Sequence, residues 1–240
     1  AILDAGIDGA VADATGGWAL RVDYNPSTPI SEPERALTTG QFAGRVRTVA
    51  ALLVATAEAD DPLHRTTDSL PVVAVGVPSQ LADTAPTLDK HLESLPDDAA
   101  AWRLVLVDPA YVMVDSYYGS SAGPQGEPIS PGSTITLTDP STGRQLKRTV
   151  AGVVSDGTAF YGIGGAEFRY PVLMSQPAAD MAFGQAARAS SLLLGTPRGQ
   201  SAERLATDLQ GQFLANGLVA TDLRRTVEDG FAASRQFFRL

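Results

Sequence analysis

The chain has 240 residues, 44% of them hydrophobic and 19% charged, a composition that builds a globular core and excludes a disordered chain. A formal charge of -9, with Lys90 and Lys147 the only lysines, argues against a nucleic-acid partner, whose phosphates demand clustered cations. The absence of Cys excludes disulfides, thiol catalysis and Cys-ligated metals.

From the N-terminus, Ile2, Leu3, Ile7 and Val11 keep helical spacing until Thr15-Gly16-Gly17 breaks it. Trp18 to Tyr24 alternates, with Trp18, Leu20, Val22 and Tyr24 on one face, and predicts a half-buried strand. Beyond the Pro-rich loop that follows, Glu34 to Arg47 has helical character interrupted by Gly40 and Gly44. Val49 to Ala57 is ambiguous, its Ala favouring helix and its Val favouring strand. We assign it as a strand paired with Leu70 to Val77 across the loop that ends at Asp68. Its opening run, Val49 to Ala55, is the longest apolar stretch and far short of the roughly 18 to 20 residues that cross a bilayer.

Thr84 to Leu95 predicts a short helix with Leu88, Leu92 and Leu95 inward, closed by Pro96-Asp97-Asp98. Arg103 to Asp108 reads as an apolar strand that Trp102 opens, and Ala110 to Tyr118 as a helical segment carrying Tyr111, Val114 and Tyr118. A Gly/Ser/Pro-rich loop runs from Gly119 to Pro131. Ser133 to Thr138 and Gln145 to Val154 then alternate on either side of the turn from Asp139 to Gly143, which predicts a hairpin. A strand at Phe168 to Met174 and a short helix around Ala178 to Ala187 follow.

The stretch from Ser190 carries the clearest pattern. Ser191 to Gly195 suits a buried strand, and Ala202, Leu205, Ala206, Leu209 and Phe213 mark one face of a helix that Asn216-Gly217 ends. Leu218 to Leu223 supplies the next strand and completes a crossover unit. Thr226 with Asp229 resembles a capping box, and Val227, Phe231, Phe238 and Leu240 lie along one stripe of a final helix. Outward-running helices at both ends predict a domain inserted between two membrane spans; the other reading is a soluble domain trimmed within ordinary terminal helices.

The chemical motifs are weak. Gly119-Ser-Ser-Ala-Gly123 satisfies the serine-hydrolase elbow pattern with Ser121 as nucleophile. Pro124, Gly126 and Pro128 exclude the helix that must follow, and the only histidines, His64 and His91, precede the serine. Gly162 to Gly165 lacks the third glycine of a phosphate cradle, Glu167 standing in its place. Asp60-Asp61 and Asp97-Asp98 have no cation-loop spacing and read as solvated loop acids. Trp18 and Trp102 read as core or interface aromatics, and Phe231, Phe237 and Phe238 as an internal cluster or a membrane-facing patch. No catalytic, cofactor-binding or metal-binding residue is assigned.

Four phrases in order carry a resemblance: Asp108-Pro-Ala-Tyr111, Pro131-Gly-Ser-Thr-Ile-Thr-Leu137, Thr149-Val-Ala-Gly-Val-Val154 and Tyr170-Pro-Val-Leu-Met-Ser175. Together with the opening helix, the Leu20 to Tyr24 strand and the 191–223 unit, they resemble the extracytoplasmic domain of MacB/FtsX-like ABC transporter permeases. The resemblance implies an α+β fold. It further implies a porter-like α/β subdomain formed by both chain ends, residues 1–68 and 188–240, with a β-rich, Sabre-like subdomain, residues 69–187, inserted. The long Gly119 to Pro131 loop, together with the 59–68 connection, departs from the family pattern. A non-enzymatic role in the cell membrane is implied, with the domain on the extracytoplasmic side and no cofactor. Its implied partners are the flanking transmembrane helices, a cytoplasmic ABC ATPase, a second permease copy and an exported or extracted substrate. A free-standing ligand-binding module and a serine hydrolase are the alternatives.

Overall fold

Strands carry most of the core in the computed structural model of the protein, which describes residues 2–60, 69–119, 128–155, 159–160, 162–163 and 170–229. The strands are β1 (Leu20–Asp23), β2 (Thr48–Asp60), β3 (Ser69–Val77), β4 (Leu88–His91), β5 (Tyr111–Asp115), β6 (Thr134–Thr138), β7 (Gln145–Val154), β8 (Tyr170–Ser175), β9 (Arg188–Gly195) and β10 (Val219–Asp222). The helices are α1 (Ile2–Thr15), α2 (Pro33–Thr38), α3 (Asp98–Val107), α4 (Ser116–Gly119), α5 (Gln176–Phe183) and α6 (Ala202–Gln212), and residues 223–229 are also helical. The fold is α+β.

The strands are ordered β10-β1-β9-β2-β3-β8-β5-β7-β4, so the two ends of the chain supply one wing of the sheet. β1 is antiparallel to both β9 and β10, and β2 is antiparallel to β9. It follows that β1 and β2 are parallel with β9 between them, and β9 and β10 are parallel with β1 between them. These are two interlocked split βαβ units, crossed by α2 and by α6. Both helices cover one face: Leu37 from α2 and Leu205 and Leu209 from α6 share a buried cluster with Leu20, Val22, Leu192 and Leu194. Ser201 caps α6, its Oγ accepting the Arg204 N–H at 3.2 Å.

The middle of the chain builds a different object. β6 pairs with both β2 and β7, which closes β2, β3, β8, β5, β7 and β6 into a six-stranded barrel. Its interior holds Ala55, Ala57, Ala59, Val72, Ala74, Val112, Val114, Ile135, Leu137, Leu146 and Val172, together with Ala178, Ala179 and Ala182 of α5. The alanines that make β2 read ambiguously have a packing reason, because its inner face must admit α5. At Gly76 of β3 a Cβ would come within 2.7 Å of the Ala179 Cβ. β2 belongs to both objects: Thr48 to Val54 pairs with β9, and Leu53 to Asp60 pairs with β3.

Outside the barrel, Val73, Val75, Val77, Met113 and Leu173 pack with Ala101, Trp102 and Val105 of α3. The same cluster continues under the terminal wing through Leu52, Leu193, Trp18 and Leu223.

Several local readings are corrected. The apolar run 103–108, expected as a strand, lies in α3, which Asp97 caps by accepting the Ala100 N–H at 2.7 Å. Trp102 therefore sits inside a helix. Residues 84–95, expected as a helix, contain edge strand β4, and 110–118 contains β5 followed by the single turn α4. Ala110 to Tyr118 shows helical spacing, but Val112, Met113 and Val114 are all buried because β5 has the barrel interior on one side and α3's layer on the other. The helix expected over Glu34 to Arg47 shrinks to α2 and a short turn at Gly40–Phe42.

Candidate functional site

The two terminal helices meet the sheet at one place, and that junction is the best-built site among the described residues. α1 ends on Gly16 and Gly17, both with positive φ, and the Gly17 N–H donates back to Ala12 O at 3.1 Å. The Gly16 backbone is pressed against another segment: a Cβ there would lie 1.8 Å from the Thr84 carbonyl oxygen. One turn earlier the Asp13 carbonyl accepts the Thr87 N–H at 3.1 Å. The last turn of α1 is thus docked, backbone to backbone, on residues 84–87.

Those residues belong to the middle of the chain and are themselves anchored. The Pro86 carbonyl accepts the Trp102 Nε1–H at 2.9 Å, and the Leu88 N–H donates to Asp98 Oδ2 at 2.9 Å. α1 is thus joined to β4 and α3 through a chain of hydrogen bonds.

The second helix leaves from the neighbouring strand. Leu20 pairs with Asp222 in the β1–β10 register, and the Leu223 N–H donates to Ala19 O at 3.1 Å. Leu223 and Trp18 are both buried in the cluster that contains Trp102 and Phe160. The Trp18 indole N–H is buried and has no hydrogen-bond partner among the described residues. The cap of this helix differs from the sequence reading. Asp222, not Thr226, takes the N-terminal role, its Oδ1 accepting the Arg225 N–H at 3.1 Å. The Thr226 Oγ1–H instead donates back to the Asp222 carbonyl at 2.9 Å. Arg224 and Glu228 pair at 2.7 Å along the same helix.

A polar feature that sequence reasoning missed lies on the face of the terminal wing opposite α2 and α6. Arg21 is only 4% exposed; its Nε donates to Asp23 Oδ2 at 2.9 Å and its Nη1 to Ala159 O at 3.0 Å. The Ser191 hydroxyl donates to Asp23 Oδ1. An open cleft of about 780 Å³ adjoins it, with Tyr24, Arg188, Ser190 and Thr221 among its walls. Burial pushes the Tyr24 phenol pKa up. The signal was present as two opposite charges at alternate positions of one strand, but alternation assigned that face to solvent.

The residues singled out for chemistry are scattered. Ser121, His64, Asp61, Gly164, Gly165, Glu167, Phe231, Phe237 and Phe238 lie outside the described residues. Asp60 is exposed at the end of β2. Asp97 and Asp98 do separate structural work as a helix cap and as the acceptor for Leu88. His91 lies in β4 rather than on a helix, its Nε2 3.8 Å from Asp98 Oδ1. Among the described residues no group of three His, Cys, Asp or Glu could hold a metal ion, and no helix is long and apolar enough to cross a membrane.

No family model matches the chain, and no curated protein matches it. Among solved structures it is similar to the extracellular domain of the noncanonic ABC-type transporter YknZ from Gram-positive bacteria. That likeness has 13% identity over 85% of this chain and 99% of the other, with a TM-score of 0.46. The periplasmic region of MacB from Actinobacillus actinomycetemcomitans is similar at 11% identity over 91% of this chain and 94% of the other, TM-score 0.45. A domain of a permease protein from Porphyromonas gingivalis is similar at 11% identity over 86% and 91%, TM-score 0.41.

Proposed function

We propose that the chain is the extracytoplasmic domain of an ABC transporter permease of the MacB/FtsX-like kind. In this reading α1 and the helix starting at Leu223 are continued by transmembrane helices of the same permease. A separate cytoplasmic ATPase hydrolyses ATP, and the domain converts displacement of the two helices into handling of an exported or extracted substrate outside the membrane. The domain itself is non-catalytic, and a second permease copy is a partner. The porter-like part is residues 1–68 with 188–240, and the inserted part is residues 69–187, with β2 shared between them: its first half pairs with β9 and its second half with β3 and β6.

One observation carries the reading: both terminal helices leave from the same end of adjacent strands, pinned by the Leu223 to Ala19 hydrogen bond. The ordered phrases from Asp108 to Ser175 support it from the sequence side. A pair of spans moving together would load that junction directly, and the docking of α1 on residues 84–87 would pass the load to the middle of the chain.

The test uses the full-length protein. A Gly-Gly-Ser insertion after Arg235 softens the link to the following span while leaving the sheet intact, and is expected to uncouple ATP hydrolysis from transport or extraction. Normal transport with the insertion in place would remove the mechanical part. Labelling of a cysteine placed at exposed Leu214 by an impermeant reagent only after the membrane is breached from the cytoplasmic side would remove the extracytoplasmic assignment.

A further inference from the structure

The β6–β7 hairpin breaks its own pattern. Ile135 faces Arg148 and Leu137 faces Leu146 across the pair, and directly opposed residues share a face. Ile135, Leu137, Leu146 and Val150 are all buried in the barrel interior, so Arg148 stands at a position where the pattern calls for an apolar side chain. Arg144 has the same parity at the turn end of β7, and Lys147 points to the other face. A cation at a core position conflicts with local patterning, and such conflicts concentrate at functional places.

These cations are not used internally as charges. The Arg144 Nη1 donates to the Met181 carbonyl at 3.2 Å and the Arg148 Nη1 to the Lys147 carbonyl at 2.9 Å. Among the described residues neither these two nor Lys147 has an ion pair. The one buried carboxylate of the hairpin, Asp139, is committed to the Ser141 and Thr142 hydroxyls at 2.7 and 2.8 Å. Burial and the neighbouring Arg144 lower the Arg148 pKa, in keeping with a guanidinium crowded by a like charge. All this occurs in a chain of net charge -9.

We propose that Arg144 and Arg148 form a docking surface for an acidic polypeptide segment of a partner protein. Three observations select that occupant. Arg148 lies four residues beyond Arg144, roughly 13 Å along extended backbone, a span that fits several carboxylates on an extended segment better than one small oxyanion. The hairpin turn is fixed by Asp139 and by Gly143 at φ 71°, so the cations are presented on a rigid element. Finally, β2 runs roughly 30 Å from Val49, level with Leu194 and Leu20, to Glu58, which pairs with Thr138. The Arg144 end of β7 therefore lies well away from the helix junction, which only the opposite end of the strand approaches, where Val154 pairs with Leu88. This placement rests on the proposed membrane attachment of those helices, and it removes lipid headgroups as the occupant.

The test is binding of a fluorescent ten-residue oligoglutamate peptide to the isolated chain at about 20 mM salt, followed by anisotropy. Binding is expected, with at least a tenfold loss in an Arg144→Gln/Arg148→Gln double variant of unchanged melting temperature and near-complete loss at 0.5 M salt. Arg35→Gln, a distant exposed arginine paired with Glu32, should bind as the parent does. Equal binding by parent and double variant, or no binding, overturns the proposal. So does tight binding of phosphatidylglycerol vesicles that displaces the peptide. The assay needs no membrane, so its failure leaves the permease reading standing, and failure of the permease topology leaves a measured peptide affinity standing.

Discussion

The Leu223 N–H donates to the carbonyl of Ala19 across 3.1 Å, joining the residue that starts the last described helix to the residue that precedes β1. Leu223 is also 2% exposed and shares its cluster with Trp18. Leu223→Ala should destabilise the chain by about 2–4 kcal/mol, the range for a buried large-to-small change. Leu214→Ala, at a side chain 78% exposed, should change stability by less than about 0.5 kcal/mol. Urea unfolding of the pair measures both, and equal effects would show that the junction is not part of the core.

Gly16 separates two costs that usually come together. Its φ is 63° and an added Cβ would meet the Thr84 carbonyl, whereas Gly143 has φ 71° with open space around it. Gly143→Ala should cost about 1–2 kcal/mol for the left-handed backbone alone. Gly16→Ala should cost distinctly more, because α1 must lift from residues 84–87. Loss of protection at the Thr87 amide in hydrogen exchange would accompany it; preserved protection would mean that the docking is not held by this contact.

Asp139 gives a pH dependence of known sign. Hydrogen bonds from the Ser141 hydroxyl and backbone, and then from Thr142, hold its pKa below the usual carboxylate value. A group whose folded pKa is depressed contributes stability above its unfolded pKa, about 3.9, and loses it as pH falls through the lower folded value. Asp139→Ala should therefore cost on the order of 1 kcal/mol at pH 7, and the gap between variant and parent should narrow below about pH 4. A gap that stays constant down to pH 2 would show that the turn is held by something other than the ionised carboxylate.

The shared strand predicts how the chain can be divided. A fragment of residues 69–187 lacks the half of β2 that pairs with β3 and β6, while a fragment of residues 53–187 retains it. The longer fragment should melt cooperatively and the shorter should lose cooperativity, read by circular dichroism through a thermal scan. Identical melts would place the barrel's closure elsewhere than at β2.

Local pattern sufficed where an element has one buried face and its own stop signals. α6 with its Gly217 end, the β6–β7 hairpin around Asp139, and the opening helix that stops at Gly16 are all legible, because amphipathic period and turn chemistry lie within a few residues. Elements buried on both sides were not. β5 and α3 carry unbroken apolar runs, and an apolar run has no period from which to tell strand from helix; the Asp97 cap and the layer above the barrel decided them. β4 became a strand because β7 offered an edge, not through its own composition. The sequence resemblance implied that the chain ends share a subdomain. That Leu20 lies opposite Asp222, and that Arg21, Asp23 and Ser191 are gathered beneath that wing, are register facts between segments remote in sequence. Such pairings are selected by the summed packing of the whole sheet, and only the tertiary structure contains that sum.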